Sequence, residues 1–128
     1  MKKEKLLKKS IKVWKSRTAD VKFSEYIRKR DGKCLKCGRK ERLQCSHFWS
    51  RNNSSVRYDQ DNCITLCYPC HYGDKVHGWE FNKQGEYRYF MIRWLGEKKY
   101  NELEIKSGLV VSRRYAIIQL MNFLSSVL

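Results

Sequence analysis

The sequence predicts an α+β fold: a small zinc-bound treble-clef core with flanking basic and amphipathic helices. Three observations predict it. Two C-x-x-C pairs, Cys34/Cys37 and Cys67/Cys70, bracket a stretch with two brief β-like runs. Apolar residues recur at helical spacing on both sides of that stretch. The chain has 128 residues, the size of one ordinary domain whose moderately buried core gains from a metal staple.

Taken in order, residues 1–22 form a basic helix or arm: Lys2, Lys3, Lys5, Lys8, Lys9, Lys12, Lys15, Arg17 and Lys22 stand against Glu4 and Asp20, with Leu6, Leu7, Ile11 and Trp14 at helical spacing. The competing account is a solvated charged tail. A second helix is expected over Phe23 to Arg30, capped by Ser24 or Asp20 and ended by the Asp31-Gly32 turn. Residues 23–104 make the zinc-stapled domain, its chemical segment running from Lys33 to Gly78. Leu43 to Trp49 and Asn62 to Leu66 read as short strands, joined by a Ser-, Asn- and Asp-rich loop. Tyr87, Phe90, Met91, Trp94 and Leu95 mark a helix that Gly96 stops, and a short helix follows around Tyr100 and Leu103. Residues 105–128 carry a last helix from a Ser112 cap, with Tyr115, Ile118, Met121, Leu124 and Val127 as the apolar face, core or homodimer seam.

Charge narrows the partner. Lys+Arg number 28 against 13 Asp+Glu, a formal +15, so a polyanion is implied, nucleic acid first and a membrane surface second. No window approaches the roughly 18 apolar residues of a spanning helix, and no apolar leader precedes the domain. The expectation is a soluble, cytoplasmic protein.

Six cysteines could pair as disulfides in a secreted chain, but two C-x-x-C pairs without a leader read as thiolates on a metal in a reducing compartment. Cys34-Leu-Lys-Cys37-Gly38 is a knuckle whose glycine permits the tight turn, and Cys67-Tyr-Pro-Cys70 supplies the second pair at the start of a helix. Four thiolates close a tetrahedral structural Zn²⁺ site with no open position. Redox chemistry, the rival use of C-x-x-C, suits a βαβ chain better. Cys45 and Cys63 read as small buried hydrophobes on the two strands.

Within that frame lie His47 at the end of the first strand, Asn62 at the start of the second, and His71 just after Cys70. Their order between paired cysteines resembles the HNH (ββα-metal) nuclease superfamily. More narrowly, Phe23-Ser24-Glu25-Tyr26-Ile27-Arg28-Lys29-Arg30-Asp31, Cys34-x-x-Cys37-Gly38, His47-Phe48-x-Ser50-Arg51, Arg57-Tyr58-Asp59, Asn62 and Cys67-x-x-Cys70 resemble phage recombination endonucleases of the NinG/Rap type.

The resemblance implies metal-dependent hydrolysis of DNA phosphodiesters, on branched or single-stranded substrates, in the host cytoplasm of a phage. His47 is then the general base, neutral near its unperturbed pKa of about 6.5. His71 is the ligand of a catalytic Mg²⁺ or related ion, and Asn62 either binds that ion or fixes the His47 ring through a backbone contact. Many relatives carry an acidic residue or a second His directly before the base; this chain has Ser46, so the metal is expected to lean on Asp61, on water or on substrate phosphate. Plainer roles compete: His71 as a hydrogen-bonding neighbour of the zinc site, His47 as a core histidine, Asn62 as a turn residue, and His77 as structural. Arg51 and Arg57 flank the loop and are DNA-binding candidates, with ordinary surface charge as the rival. Trp49, Tyr58 and Tyr68 are read as packing groups before base-stacking ones. Two other functions fit the sequence: a non-catalytic zinc-dependent DNA-binding module, and a homing or restriction endonuclease cutting duplex at one sequence.

Overall fold

In a computed structural model, which describes residues 12–75 and 77–127, a two-stranded antiparallel sheet lies between two helical layers. The basic positions up to Lys9, with Leu6, Leu7 and Ile11, fall outside the described residues.

The first helix, α1 (Ser16–Asp31), includes the expected Phe23 to Arg30 but starts earlier. Asp20 and Ser24 are therefore interior positions, and the N-cap Lys15 makes no side-chain cap bond. Burial explains the early start, because Ala19, Phe23 and Ile27 form one apolar stripe that reaches back past Asp20. Gly32 ends the helix at φ +70, where a Cβ is disfavoured, and its N–H returns to the Arg28 carbonyl at 2.8 Å.

Strands β1 (Leu43–His47) and β2 (Cys63–Cys67) pair with Leu43 opposite Cys67 and His47 opposite Cys63. Alternation sorts their side chains onto two faces. Cys45, His47, Cys63 and Thr65 turn toward α1, where Phe23 packs on the His47 ring and Thr65 Oγ1 donates to the Ile27 carbonyl. Ser46, Ile64 and Leu66 turn toward an aromatic cluster of Phe48, Trp79, Tyr87 and Tyr100. Covered on both faces, β2 is buried at every position. Arg30 and Asp31 stitch the end of α1 to it: the Arg30 guanidinium donates to the Gln60 and Cys63 carbonyls at 2.8 and 2.7 Å, and Asp31 Oδ2 accepts from Thr65 N–H at 2.8 Å.

The polar loop contains a single helical turn, α2 (Ser54–Arg57), and a 3₁₀ turn, Gln60–Asn62. Cys67 is the N-cap of α3 (Tyr68–Tyr72), with Pro69 in its first turn, so the second cysteine pair opens a helix as expected. Then come α4 (Arg88–Leu95), stopped at Gly96, and α5 (Glu97–Ser107), which buries Tyr100 and Leu103.

The last helix, α6 (Arg113–Val127), begins at the Ser112 cap, whose Oγ accepts from Tyr115 N–H at 3.0 Å. Its apolar face needs correcting. Tyr115 and Val127 are exposed, while Ala116, Ile117, Leu120 and Leu124 are buried. Steps of three residues drift around a 3.6-residue helix, whereas four-residue steps stay on one stripe. That stripe packs on Phe23 and Ile27 of α1, and burying three such side chains contributes roughly 5–8 kcal/mol. Among the described residues no helix is long and apolar enough to cross a membrane.

Candidate active site and metal centre

The two C-x-x-C pairs converge. Sulfurs of Cys34, Cys37, Cys67 and Cys70 lie within 4.8 Å of one another, Cys37 Sγ and Cys67 Sγ being 3.6 Å apart, and all are free thiols. Cys37 N–H points at Cys34 Sγ over 3.5 Å, and Gly38, at φ +83, returns its N–H to the Cys34 carbonyl at 2.9 Å. This knuckle hangs from the sheet through Leu35 N–H on the Thr65 carbonyl at 3.0 Å. Burial alone would raise the Cys34 pKa, yet backbone N–H groups bring it down to about 7, whereas burial and then the neighbouring thiols push Cys70 upward. Four converging sulfurs are a donor set suited to a thiophilic divalent cation, whose charge favours the thiolate form of its ligands. The cluster could hold a structural metal such as zinc.

Beside it, a cleft of about 330 Å³ is lined by Phe23, Cys45, His47, Arg51, His71 and Glu80, among others. The fold therefore brings His47 and His71 to one cavity. His47 reaches it from the end of β1, held by a 2.8 Å hydrogen bond between Nε2 and the Arg57 carbonyl. A carbonyl only accepts, so Nε2 carries the proton of the neutral ring and the lone pair is on Nδ1. Burial pushes the His47 pKa down to about 4, helped by the charges of Arg51 and Arg57 and opposed by the Arg57 carbonyl. The ring is thus neutral at physiological pH for a stronger reason than its ordinary value of 6.5.

His71, 5 % exposed, projects from α3. Its Nδ1 donates to Gln44 Oε1 at 2.9 Å, which turns Nε2 toward Glu80 Oε2 at 3.3 Å. Burial alone would raise the Glu80 carboxyl, but His71 and the Lys83 ammonium hold it below its ordinary 4.5. A ring nitrogen facing an ionised carboxylate is a donor pair that could take a divalent cation.

Two expected site residues, Asn62 and Arg57, lie away from the cleft. Asn62 is 0 % exposed with its amide spent on backbone: Oδ1 accepts from Trp49 N–H at 2.7 Å, and Nδ2 donates to the Trp49 and Val56 carbonyls at 3.0 and 3.1 Å. Buried and committed to the backbone in this way, the amide does not line the cleft. Its link to His47 is indirect, since it anchors the peptide next to the one whose carbonyl holds the ring. Arg57 is 6 % exposed and forked on Asp20, with Nε–Oδ1 2.9 Å and Nη2–Oδ2 2.6 Å, so its guanidinium is a structural tie rather than a phosphate clamp. Ser46 lies fully buried on the face opposite His47, sharing a 2.8 Å hydrogen bond with Tyr87 O–H. Adjacent strand residues face opposite sides, so Ser46 turns away from His47.

Arg51 keeps its place at the cleft, held loosely by Asp20 at 2.9 Å and more than half exposed. Asp61 does not line the cleft; Glu80 and Asp20 do. Glu80, Gln44 and Lys83 were missed because a single Glu, Gln or Lys carries no motif. Only the fold, which sets the 3₁₀ turn Trp79–Phe81 against α3, makes them neighbours of His71. His77 sits on the surface beside Asp74. Trp49 and Tyr58 pack on Phe48 and Phe23, while Tyr68 is exposed beneath the Arg42 guanidinium.

Asp20 ties Arg57, Arg51 and Tyr58 into one cluster, and burial of its carboxyl is outweighed by the hydrogen bonds of Arg57 and Tyr58, which hold it below 3.8. Asp20→Ala strands the buried Arg57 charge and is expected to lower stability by about 2–4 kcal/mol, measured by urea unfolding; Arg51→Ala should lower it by less than about 1 kcal/mol.

A family model described as the bacteriophage lambda NinG protein matches residues 1–123. No curated protein and no solved structure matches the chain.

Proposed function

Since this chain belongs to the bacteriophage lambda NinG protein family, we propose that it is a metal-dependent DNA endonuclease of the HNH type, hydrolysing phosphodiesters in phage recombination or in processing branched or single-stranded DNA. One observation carries the reading: a neutral imidazole with its lone pair on Nδ1 shares a cleft with a histidine–carboxylate pair.

A phosphodiester is an anion that repels nucleophiles, so hydrolysis needs a base for the attacking water and positive charge near the phosphate. His47 Nδ1 takes the water's proton. The Arg57 carbonyl, fixed on Nε2–H, orients the ring and stabilises the charge that develops on it. Arg51 and Lys83 line the same cleft and offer cationic contacts to phosphate oxygens. When bound, a divalent ion such as Mg²⁺ on His71 and Glu80 would add charge against the phosphate and the leaving oxygen. The formal charge of +15 draws the duplex in without reading its sequence.

Two variants probe the parts separately. Glu80→Gln is expected to raise the Mg²⁺ concentration for half-maximal cutting by about 10–100-fold while leaving DNA binding in place. Arg51→Ala should weaken DNA binding and reduce its salt slope by about 1, as for one lost phosphate contact.

The deciding assay compares wild type and His47→Ala on branched, single-stranded and linear duplex DNA with Mg²⁺ and Mn²⁺. Nicking that depends on His47 and favours branched or single strands supports the proposal. Salt-sensitive binding with no nicking of any substrate would make the chain a binding module, and cutting of linear duplex at one sequence would make it a homing or restriction enzyme.

A further inference from the structure

His47 has two partners that the proposed hydrolysis does not use. Cys45 lies two residues earlier on the same face of β1, and the strand register sets Cys63 directly across from His47. Sulfurs of both cysteines and a ring nitrogen of His47 lie within 4.8 Å of one another, and both cysteines are free thiols. With Nε2–H committed to the Arg57 carbonyl, the only lone pair the ring can offer is that on Nδ1.

We propose that Cys45, His47 and Cys63 form a second metal site, separate from the four-cysteine cluster, for a thiophilic divalent cation such as Zn²⁺ or Cd²⁺, and that filling it switches off cleavage. The inhibitory half rests on the reading of His47 as the base. Two thiolates and an imidazole are a donor set that zinc accepts with its fourth position left to water. Cys45 lines the cleft and gives the cation a way in, while Cys63 lies fully buried beneath it. Mg²⁺ is a hard cation that binds thiolates poorly and does not compete here, so softness separates the inhibiting cation from the one that supports cutting.

The step balances without an oxidant. Coordination deprotonates both thiols, two S–H bonds are replaced by two metal–sulfur bonds, and two protons leave to solvent as the dipositive ion enters. The neutral imidazole gives its Nδ1 electron pair to the metal. That pair is the one a water's proton would otherwise take, so an occupied site and an active base exclude each other.

The test uses the full chain with the four-cysteine site already loaded with zinc. Cd²⁺ is titrated in, and total metal per chain is read after dialysis together with the thiolate-to-metal charge-transfer absorption. Wild type should hold two ions per chain. Cys45→Ser, a half-buried position at the cleft, should hold one, and far-UV circular dichroism checks its fold; Cys63→Ala is the second variant. One ion in wild type, or two in a folded Cys45→Ser protein, overturns the site.

For the inhibitory half, cutting in fixed Mg²⁺ is measured with and without excess Zn²⁺ and expressed as a ratio for each protein. The wild-type ratio is expected to fall by about 100-fold, as for loss of a general base, and the Cys45→Ser ratio by less than about threefold. Equal loss in both proteins, or undiminished cutting by a wild type that holds two ions, overturns the link to His47. A wild type that never cuts DNA removes the nuclease reading and the inhibitory half together, while the metal count still decides whether the site exists.

Discussion

Serine in place of Cys67 is expected to unfold the domain rather than merely loosen it. Cys67 closes the sheet opposite Leu43, caps α3 and supplies one of the four converging sulfurs, so a metal held there would tie the knuckle, the sheet and α3 together. Structural zinc sites contribute about 10–16 kcal/mol of apparent binding energy, which equals or exceeds the roughly 5–15 kcal/mol that holds a typical domain together. The expected result is loss of the cooperative thermal transition together with the bound zinc. A strong chelator should do the same to the wild type. A chelated protein that melts cooperatively at its original temperature would overturn the structural role of the cluster.

His47→Ala is expected to leave zinc content and helical signal in place and to slow cleavage by about 10²–10⁴-fold, the usual contribution of a general base. The pH dependence follows from the same ring. Because burial lowers the His47 pKa to about 4, the acid limb of kcat/KM that it sets lies near pH 4, well below the ordinary 6.5. Stability moves in a definite direction too. The unfolded chain takes up a proton at this histidine as pH falls through 6.5, whereas the folded chain resists until about 4. His47 therefore makes folding less favourable as pH drops across that window, by at most roughly 3 kcal/mol, and its effect is flat outside it. Comparing urea unfolding of wild type and His47→Ala between these pH values isolates the effect, because the variant lacks that share of the decline. An identical pH slope in both would remove the buried, neutral imidazole on which the base assignment depends.

Much of this architecture is legible locally. Cysteine spacing announces the knuckle and the α3 entry, and turn residues bound the strands to within two positions. His47 and His71 are found by their place in that frame, and both reach the cleft. Failures came where a residue has two chemically reasonable fates. Arg57 looks like a phosphate ligand until Asp20, in a helix far back in the chain, is seen forked against it. Asn62 reads equally as a metal ligand or as a backbone brace for the His47 ring until its amide is seen bonded to the loop backbone. Ser46, a poor ligand by its chemistry, is also turned away from His47 by strand alternation.

The amino-acid sequence by itself determined the two cysteine pairs that converge, the strand–strand–helix order and the positive charge, because cysteine spacing, hydrophobic period and net charge are properties of neighbouring residues. Tertiary structure alone decided which side chains share the cleft. Glu80 beside His71, Gln44 on its other nitrogen, and Cys45 and Cys63 around His47 are brought together by packing one element on another. No local pattern encodes such meetings, since they depend on how α1, the hairpin and α3 fit around a common core.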